Sequence, residues 1–492
     1  MRKQAEAAEV KQEVELKLEL LPEAAEAFEK SSFLRFEPNS ACLKAVYFDT
    51  PGKQLRALGY TLRVRRSGDE HIQTVKAGGE GVGLFSRAEW EMPVPHDKPV
   101  IDTRTPVSAV LGDAAEELAP AFHVDVERRT WLVVEEHAAI EVALDIGLIR
   151  AGERQSPICE IELESKAGEP AALFSLARRI DVLVPVRLGV AAKSERGYRL
   201  LEAAVASFKA EPVTLKKDSS AFEAFQAIVR ACVRHYRLNE ELLLDHYHPM
   251  ALHQARVAAR RLRSALTVFK PMLAEVDVAR FQIELRWLAK LLGEARDLDV
   301  LIERVGPGEL NDSIGVARGE VHAKVIKTLQ SSRARLLMID IIEWVTIDAA
   351  RVSVERTQLG CEPAAQFAAG CLGHLHRQVI KHGRHLEKLD DQQRHEIRKK
   401  AKKLRYASEY FAGLFGSAKK GRRRNDRYIA ALEVLQDRLG ELNDAVGMPD
   451  LLARYSLPGD AGVIKGGSSK KKMIAAAADA HNKLEKVRRF WR

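Results

Sequence analysis

Several short stretches of this sequence alternate one charged residue with one aliphatic residue. Glu13-Val14-Glu15-Leu16-Lys17-Leu18-Glu19 does so, and Cys159-Glu160-Ile161-Glu162-Leu163-Glu164 repeats a carboxylate at every second position. Arg63 and Arg65, Thr74 and Lys76, Arg87 with Glu89 and Glu91, and Glu141 with Asp145 keep the same spacing. In an extended chain a period of two sends the charges to one face and the aliphatics to the other. On a half-exposed sheet that face would simply be wet, which is the simpler reading for any one strand. Surface strands, however, mix in Thr, Ser and Gln, whereas here nearly every strand offers a full charge and the signs are segregated by strand. Turned inward around a closed barrel, paired carboxylates would offer oxygen ligands to a hard divalent cation such as Mg²⁺, while Arg and Lys would hold phosphate oxygens. Such an interior is tolerable only if opposite signs and a ligand compensate one another. The chemistry would be phosphoryl transfer to water, driven by positioning and charge neutralisation rather than by a covalent nucleophile.

The elements that would position these residues follow from hydrophobic period. Up to about residue 205 the grammar is that of antiparallel strands, with Val14–Leu20, Thr61–Arg65, His71–Lys76, Trp131–Glu135, Ile140–Ile146 and Ile158–Glu164 separated by Gly, Pro and Asp. Ala24–Ser31, Ala114–Leu118 and Ala171–Ile180 fit intervening helices. Residues 207–217 form a linker by composition, ending in Lys216-Lys217-Asp218-Ser219-Ser220, and beyond it apolar residues recur at helical spacing. Expected helices there include Ala221–Tyr236, Leu252–Phe269, Ala279–Leu292, Ala317–Met338, Arg394–Phe415 and Asp426–Leu439.

The helical half repeats itself. His253-x-x-Arg256-x-x-x-Arg260-Arg261-Leu262-Arg263 recurs as His395-x-x-Arg398-x-x-x-Lys402-Lys403-Leu404-Arg405, 142 residues later, and Leu292-Gly293-Glu294…Asp297 recurs as Leu439-Gly440-Glu441…Asp444, 147 later. Two matches in the same order at nearly equal offset imply two similar helical bundles in a pseudo-two-fold arrangement. His253, Arg256, Arg260 and Arg263 share one stripe of a helix, and so do His395, Arg398, Lys402 and Arg405. A solvated basic face is the plain alternative, but these stripes lack the interleaved acids that support most such faces. Metal binding by His253 or His395 is disfavoured, since neither has a second ligand at i+4.

Charge separates the halves. The chain of 492 residues carries a net charge of +9. Residues 211–492 hold 50 basic and 35 acidic residues, a balance of +15, which leaves 28 and 34, a balance of −6, for residues 1–210. The second half therefore favours anionic partners. Aromatic residues do not interleave its stripes, which argues against nucleic acid. The five cysteines are scattered, the opening Met1–Val10 has no apolar signal core, and Leu336–Val345 is broken by Asp340 and Glu343, so a cytoplasmic protein without membrane spans is expected.

Taken in order, Glu13-x-Glu15-x-Lys17, Tyr47-Phe48-Asp49-Thr50-Pro51, Leu62-Arg63-Val64-Arg65, Glu160-Ile161-Glu162-Leu163-Glu164 and Lys193-Ser194 resemble the CYTH superfamily of triphosphate tunnel metalloenzymes, over residues 11–206. The resemblance implies an α+β chain whose first domain is a closed, eight-stranded antiparallel tunnel with inorganic triphosphatase activity dependent on Mg²⁺ or Mn²⁺. It implies Glu13, Glu15, Asp145, Glu160 and Glu162 as metal carboxylates, and Lys17, Arg63, Arg65, Lys76, Arg128 and Lys193 as triphosphate ligands. Arg128 is preferred to Arg129 from its spacing to Trp131. Glu164 would sit nearer the tunnel end, Arg87 and Glu89 would close ion pairs in the wall, and Tyr47–Pro51 would order a turn.

The paired basic motifs, with Leu292–Asp299 and Leu435-Gln436-Asp437, resemble the CHAD domain over residues 218–492, though Pro307–Glu362 carries little of the resemblance. This implies a groove that binds inorganic polyphosphate, with Asp297, Asp299 and Asp444 as partners of groove arginines and an association with polyphosphate granules. The competing readings are a non-catalytic granule-targeting protein, and a thiamine triphosphatase or adenylate cyclase built on the same tunnel motifs.

Overall fold

The computed structural model describes residues 15–77, 88–135, 137–348, 354–416, 419–455, 457 and 469–491, so Glu13 and Arg87 lie outside the described residues. The chain forms two compact units, one of Met1–Ala206 with Gln330–Ile347 and one of Ser207–Leu329 with Asp348–Arg492. No helix among the described residues is long and apolar enough to cross a membrane.

Among the described residues the first unit is built on nine strands: β1 (Glu15–Glu19), β2 (Asn39–Asp49), β3 (Tyr60–Ser67), β4 (Glu70–Ala77), β5 (Glu89–Pro93), β6 (Ala119–Glu135), β7 (Ala138–Ala151), β8 (Arg154–Gly168) and β9 (Arg187–Leu188). They pair antiparallel in the order β5-β4-β3-β2-β6-β7-β8-β1-β9. Among the described residues the expected closed eight-stranded ladder is therefore corrected to nine strands with β5 and β9 as ends. The physical reason lies at β1: its second edge is occupied by the two-residue β9, which pairs Leu188 with Leu18 and Arg187 with Glu19. The sheet nevertheless curls, and strands β1 to β8 all line one cavity of about 250 Å³. Alternation explains what faces it. Glu15 and Lys17 line the cavity while Leu16 and Leu18 are fully buried on the other face; Glu141, Ala143 and Asp145 line it while Val142 and Leu144 do not. The outer face is covered by helices, among them Ala171–Leu183, whose Leu173, Phe174, Leu176, Ala177 and Ile180 are buried.

The helix Ser332–Glu343 also belongs to this unit, although the sequence places it deep in the helical half. The single helix expected over Ala317–Met338 is in fact two, Glu309–Leu329 and Ser332–Glu343. Ser331 ends the continuity by capping the second helix, its side chain accepting from Ala334 N.

The second unit is all-helical. Ser220 and Glu223 form a capping box at the start of Ala221–Asp245, and Asp390 and Gln393 do the same for Asp391–Tyr410. Residues 207–217 are not a loose tether. Val213 and Leu215 are buried, and Phe208 N donates to Asn239 Oδ1 at 3.0 Å. The helices Pro249–Phe269 and Asp391–Tyr410, which carry the two basic stripes, pack against each other, and the Tyr410 hydroxyl donates to Arg261 O at 2.7 Å. Each stripe also lies against its own glycine. A Cβ at Gly293 would meet Arg256 Nε at 3.5 Å, and one at Gly440 would meet Arg398 Nη2 at 3.7 Å. The repeated Leu-Gly-Glu segments thus each lie beside a stripe guanidinium, at distances a Cβ would meet as ordinary contact.

Candidate functional site

The cavity of the first unit is lined by Glu15, Lys17, Tyr47, Arg63, Arg65, Lys76, Glu89, Glu91, Arg128, Glu141, Asp145, Glu162, Glu164 and Lys193, among smaller residues. Strand register brings its acids together, because β7 and β8 pair Asp145 with Glu160, and β1 and β8 pair Lys17 with Glu162. Asp145, Glu160 and Glu162 consequently present carboxylate oxygens all within 4.8 Å of one another. Glu15 lies in the same cavity but outside that cluster.

Cations interdigitate with these acids. Lys17 Nζ lies 3.0 Å from both Glu160 Oε1 and Glu162 Oε1. Lys193, the first residue of the helix Lys193–Leu200, donates to Asp145 Oδ2 at 2.6 Å, to Glu162 Oε1 at 3.0 Å, and to Glu160. Arg128 makes a two-pronged contact with Asp145 at 2.7 and 2.6 Å and also donates to Glu162. Arg129, one residue on, bonds Glu127 and Glu29 and does not line the cavity. Towards the other wall, Lys76 pairs with Glu89 at 2.7 Å and Thr74 donates to Glu91 at 2.9 Å. Glu164 and Glu141 share Lys166.

Proton affinities follow these contacts. Burial works against the Glu162 carboxylate, but the Lys193, Lys17 and Arg128 charges outweigh it and hold its pKa well below the ordinary carboxylate value. Burial likewise opposes the Lys17 and Lys193 ammonium groups, and the surrounding carboxylates more than reverse it. Glu15 is raised, by burial first and then by the Glu162 charge.

At this site, among the described residues, Glu160 Oε2 in the carboxylate cluster and Arg63 Nε of a cavity-lining side chain are buried without a hydrogen-bond partner. Arg196 Nη1 stands 4.0 Å from that Glu160 oxygen, and Tyr47, Glu89 and Glu91 lie in the field of Arg63, so both atoms are balanced in charge but keep an open hydrogen-bonding valence. A hard cation with oxygen preference fits Asp145, Glu160 and Glu162. Tyr47 was expected only to order a turn, yet it lines the cavity, its ring stacked on Phe122 at 4.6 Å. Only its odd-numbered place in β2, in phase with Leu43 and Ala45, could have signalled this.

The second unit gathers cations differently. Burial and then the Arg260, Arg398 and Arg256 charges push the Lys402 ammonium down to about 6, and His253 falls to about 4 through burial and the nearby Arg296, Arg256, Arg260 and Lys402. Arg256, Arg263, Arg398 and Arg405 each bury an Nε without a hydrogen-bond partner. Arg256 has a carboxylate, Asp297, at 3.8 Å. Arg405 is drawn off to Glu409 and Glu433, at 3.2 and 3.3 Å, and His395 bonds Asn443. Arg263 has Arg286 and Arg260 for charged neighbours. The expected carboxylate partners divide as well. Asp444 approaches Arg304 at 3.4 Å, while Asp299 takes the Tyr247 hydroxyl at 2.6 Å and Arg318 at 2.7 Å rather than a stripe arginine. Arg296 was not among the expected groove residues, although it stands two residues after Glu294 in the repeated segment.

Residues 11–198 match the CYTH domain family, and residues 227–453 match the CHAD domain family. An inorganic triphosphatase of Haemophilus influenzae is 34% identical over 199 residues, covering 38% of this chain, and the chain spans 55% of that protein's length. An uncharacterized protein of Mycobacterium tuberculosis is 26% identical over 457 residues, covering 82% of this chain and 80% of its own length. The crystal structure of the CHAD domain from the plant Ricinus communis is 29% identical, with a TM-score of 0.47, and covers 57% of this chain and 97% of its own. The chain carries a CYTH domain followed by a CHAD domain.

Proposed function

We propose that the cavity hydrolyses inorganic triphosphate to pyrophosphate and phosphate with the help of a divalent cation, Mg²⁺ or Mn²⁺. The observation that carries this reading is the triad Asp145, Glu160 and Glu162, with a buried Glu160 oxygen that has no hydrogen-bond partner, enclosed by cations from two other strands and from the helix Lys193–Leu200. The triad would hold the cation, which supplies Lewis-acid neutralisation of phosphate oxygens. Lys17, Lys193 and Arg128 are paired with the triad. With a cation on those carboxylates, Lys17, Lys193 and Arg128 would be available to phosphate oxygens, alongside Arg63, Arg65 and Lys76 from the facing wall. Catalysis would rest on holding the phosphorus in line with a water and spreading the developing charge over fixed donors.

An inorganic phosphate chain suits the cavity better than a nucleotide. Its one aromatic lining residue, Tyr47, already has its ring stacked on Phe122, so among the described residues no aromatic face is offered to a base. The Haemophilus influenzae triphosphatase supports the same activity class. The CHAD unit would bind inorganic polyphosphate along Arg256, Arg260, Arg398 and Lys402, whose mutual repulsion a polyanion would relieve.

The test is phosphate release by the full chain offered triphosphate, pyrophosphate, ATP and long polyphosphate, each with Mg²⁺, Mn²⁺ or chelator. Triphosphate should be cleaved fastest and only with metal. Undiminished release after chelation, or equal rates on ATP, would contradict the proposal.

A further inference from the structure

The catalytic cavity depends on a segment that carries no charge alternation at all. Between the helix Ala171–Leu183 and the helix Lys193–Leu200 the chain runs through Val186, β9 and Gly189 to Lys193. This short run sets two of the cavity cations. Gly189 N donates to Lys17 O at 2.8 Å, and Gly189 lies so close to the Lys17 side chain that a Cβ there would fall 2.6 Å from Lys17 Cγ. Four residues later the same run delivers Lys193 Nζ to the carboxylate triad.

What fixes the run is a buried carboxylate. Asp181 Oδ1 accepts from Val186 N at 3.2 Å, which pins the entry to β9. The same carboxylate is gripped by the helix Ser332–Glu343: Arg335 donates through Nε to Oδ1 at 2.5 Å and through Nη2 to Oδ2 at 3.0 Å, and the Ser332 hydroxyl donates to Oδ2 at 2.6 Å. Asp181 and Arg335 are both buried. A two-pronged pair of this kind fixes orientation as well as position. One turn earlier on Ala171–Leu183, Arg178 reaches the same helix, donating to Asp340 at 2.8 Å and also to Glu343. The helix packs on β9 itself as well as on Ala171–Leu183.

We infer that Arg335, from the C-terminal half of the chain, is a positioning residue of the triphosphate cavity, acting through Asp181 and β9 to place Lys17 and Lys193. Its own side chain touches neither the triad nor the cavity. The inference rests on the cavity being the catalytic site.

The full chain carrying Arg335→Ala, Arg335→Lys, Asp181→Asn or no change is assayed for kcat and KM on triphosphate, for helical content, and for the rate at which an amine-acetylating reagent labels Lys193. Arg335→Ala should lower kcat about tenfold or more in folded protein, change KM less, and label Lys193 faster. Arg335→Lys, which keeps the charge but loses the two-pronged grip, should fall between wild type and Arg335→Ala. If Arg335→Ala fails to accumulate as folded protein, Asp181→Asn and Arg335→Lys carry the same test. Wild-type kcat and unchanged Lys193 labelling in folded variants would overturn the inference. So would a lower melting temperature with full activity per folded molecule. A wild-type chain that releases no phosphate, yet labels Lys193 faster in Arg335→Ala, would overturn the catalytic reading and leave the positioning role standing.

Discussion

The two units of this chain both collect cations, and they treat them in opposite ways. In the sheet unit Lys17, Lys193 and Arg128 are locked to Asp145, Glu160 and Glu162, and those bonds carry their proton affinities beyond the ordinary range in the direction of charge. In the helical unit Asp297 stands 3.8 Å from Arg256 and the Asp444 charge favours Arg398, yet burial and the Arg260, Arg398 and Arg256 charges still drive Lys402 towards the neutral form. The cavity, which we propose takes a small metal–phosphate complex, is electrically matched by its own side chains. The helical groove, which we propose grips a long polyanion, keeps a surplus of positive charge around Lys402 that such a ligand would relieve. The same side chains therefore stabilise one unit and strain the other.

The largest expected effect follows from breaking the matched side. Glu162→Gln removes the acceptor shared by Lys17, Lys193 and Arg128, and should cost about a thousandfold or more in kcat on triphosphate. It should also destabilise the sheet unit by about 3–5 kcal/mol, because buried cations lose a partner. A normal melting temperature would show that the three cations are not held as described. Arg63→Ala probes the same cavity with a smaller penalty, since Arg63 shares no carboxylate with the Lys17, Lys193 and Arg128 cluster and its Nε is unpartnered. Its loss should be about 2–4 kcal/mol in kcat/KM with little change in stability.

On the mismatched side the sign of the stability effect should reverse. Arg256→Ala combined with Arg398→Ala should weaken polyphosphate binding by about tenfold or more per contact, and should flatten the dependence of log Kd on log salt. The melting temperature of the helical unit should stay level or rise. A clear fall would mean that the arginines support the fold rather than strain it.

The smallest effect is a proton. The ordinary lysine value is 10.5 and folding pushes Lys402 to about 6, so between those values the unfolded chain binds the extra proton. Stability of the helical unit should accordingly rise with pH across that window, the penalty being complete below about 6. Bound polyphosphate restores the countercharge, so binding near neutral pH should take up a proton and tighten as pH falls towards 6. Calorimetric titration in two buffers of different ionisation enthalpy measures that uptake, and Lys402→Gln should abolish it. Zero uptake in the wild-type chain would place Lys402 outside the cluster's field.

Much of the cavity was legible because alternation leaves a mark in single strands. Glu160 and Glu162, Arg63 and Arg65, or Glu15 and Lys17 declare a common face whatever their partners are. The pairing itself was less legible. A two-residue strand such as β9 has no period to detect, and its existence depends on the free edge of β1 and on Asp181. The helix Ser332–Glu343 was hidden for a different reason. Its apolar spacing runs on smoothly from Glu309–Leu329, and the only local sign of a break is Ser331-Ser332. In the groove, spacing placed both stripes on helix faces, but which arginines keep carboxylate partners was set by packing, as Arg405 with Glu433 illustrates.

The placement of Arg335 has a consequence for how the chain is made. Asp181 waits for a partner 154 residues further along. At roughly 5–20 residues per second, synthesis reaches that partner on the order of ten seconds after Asp181 itself. Throughout that interval the nascent sheet has an open flank around β9, and the carboxylate of Asp181 has no guanidinium to meet it. Much of the helical half must be translated before the first unit can finish folding, so a ribosome stalled between residues 206 and 335 would hold out an unfinished enzyme and an exposed strand edge, the kind of surface on which nascent chains aggregate.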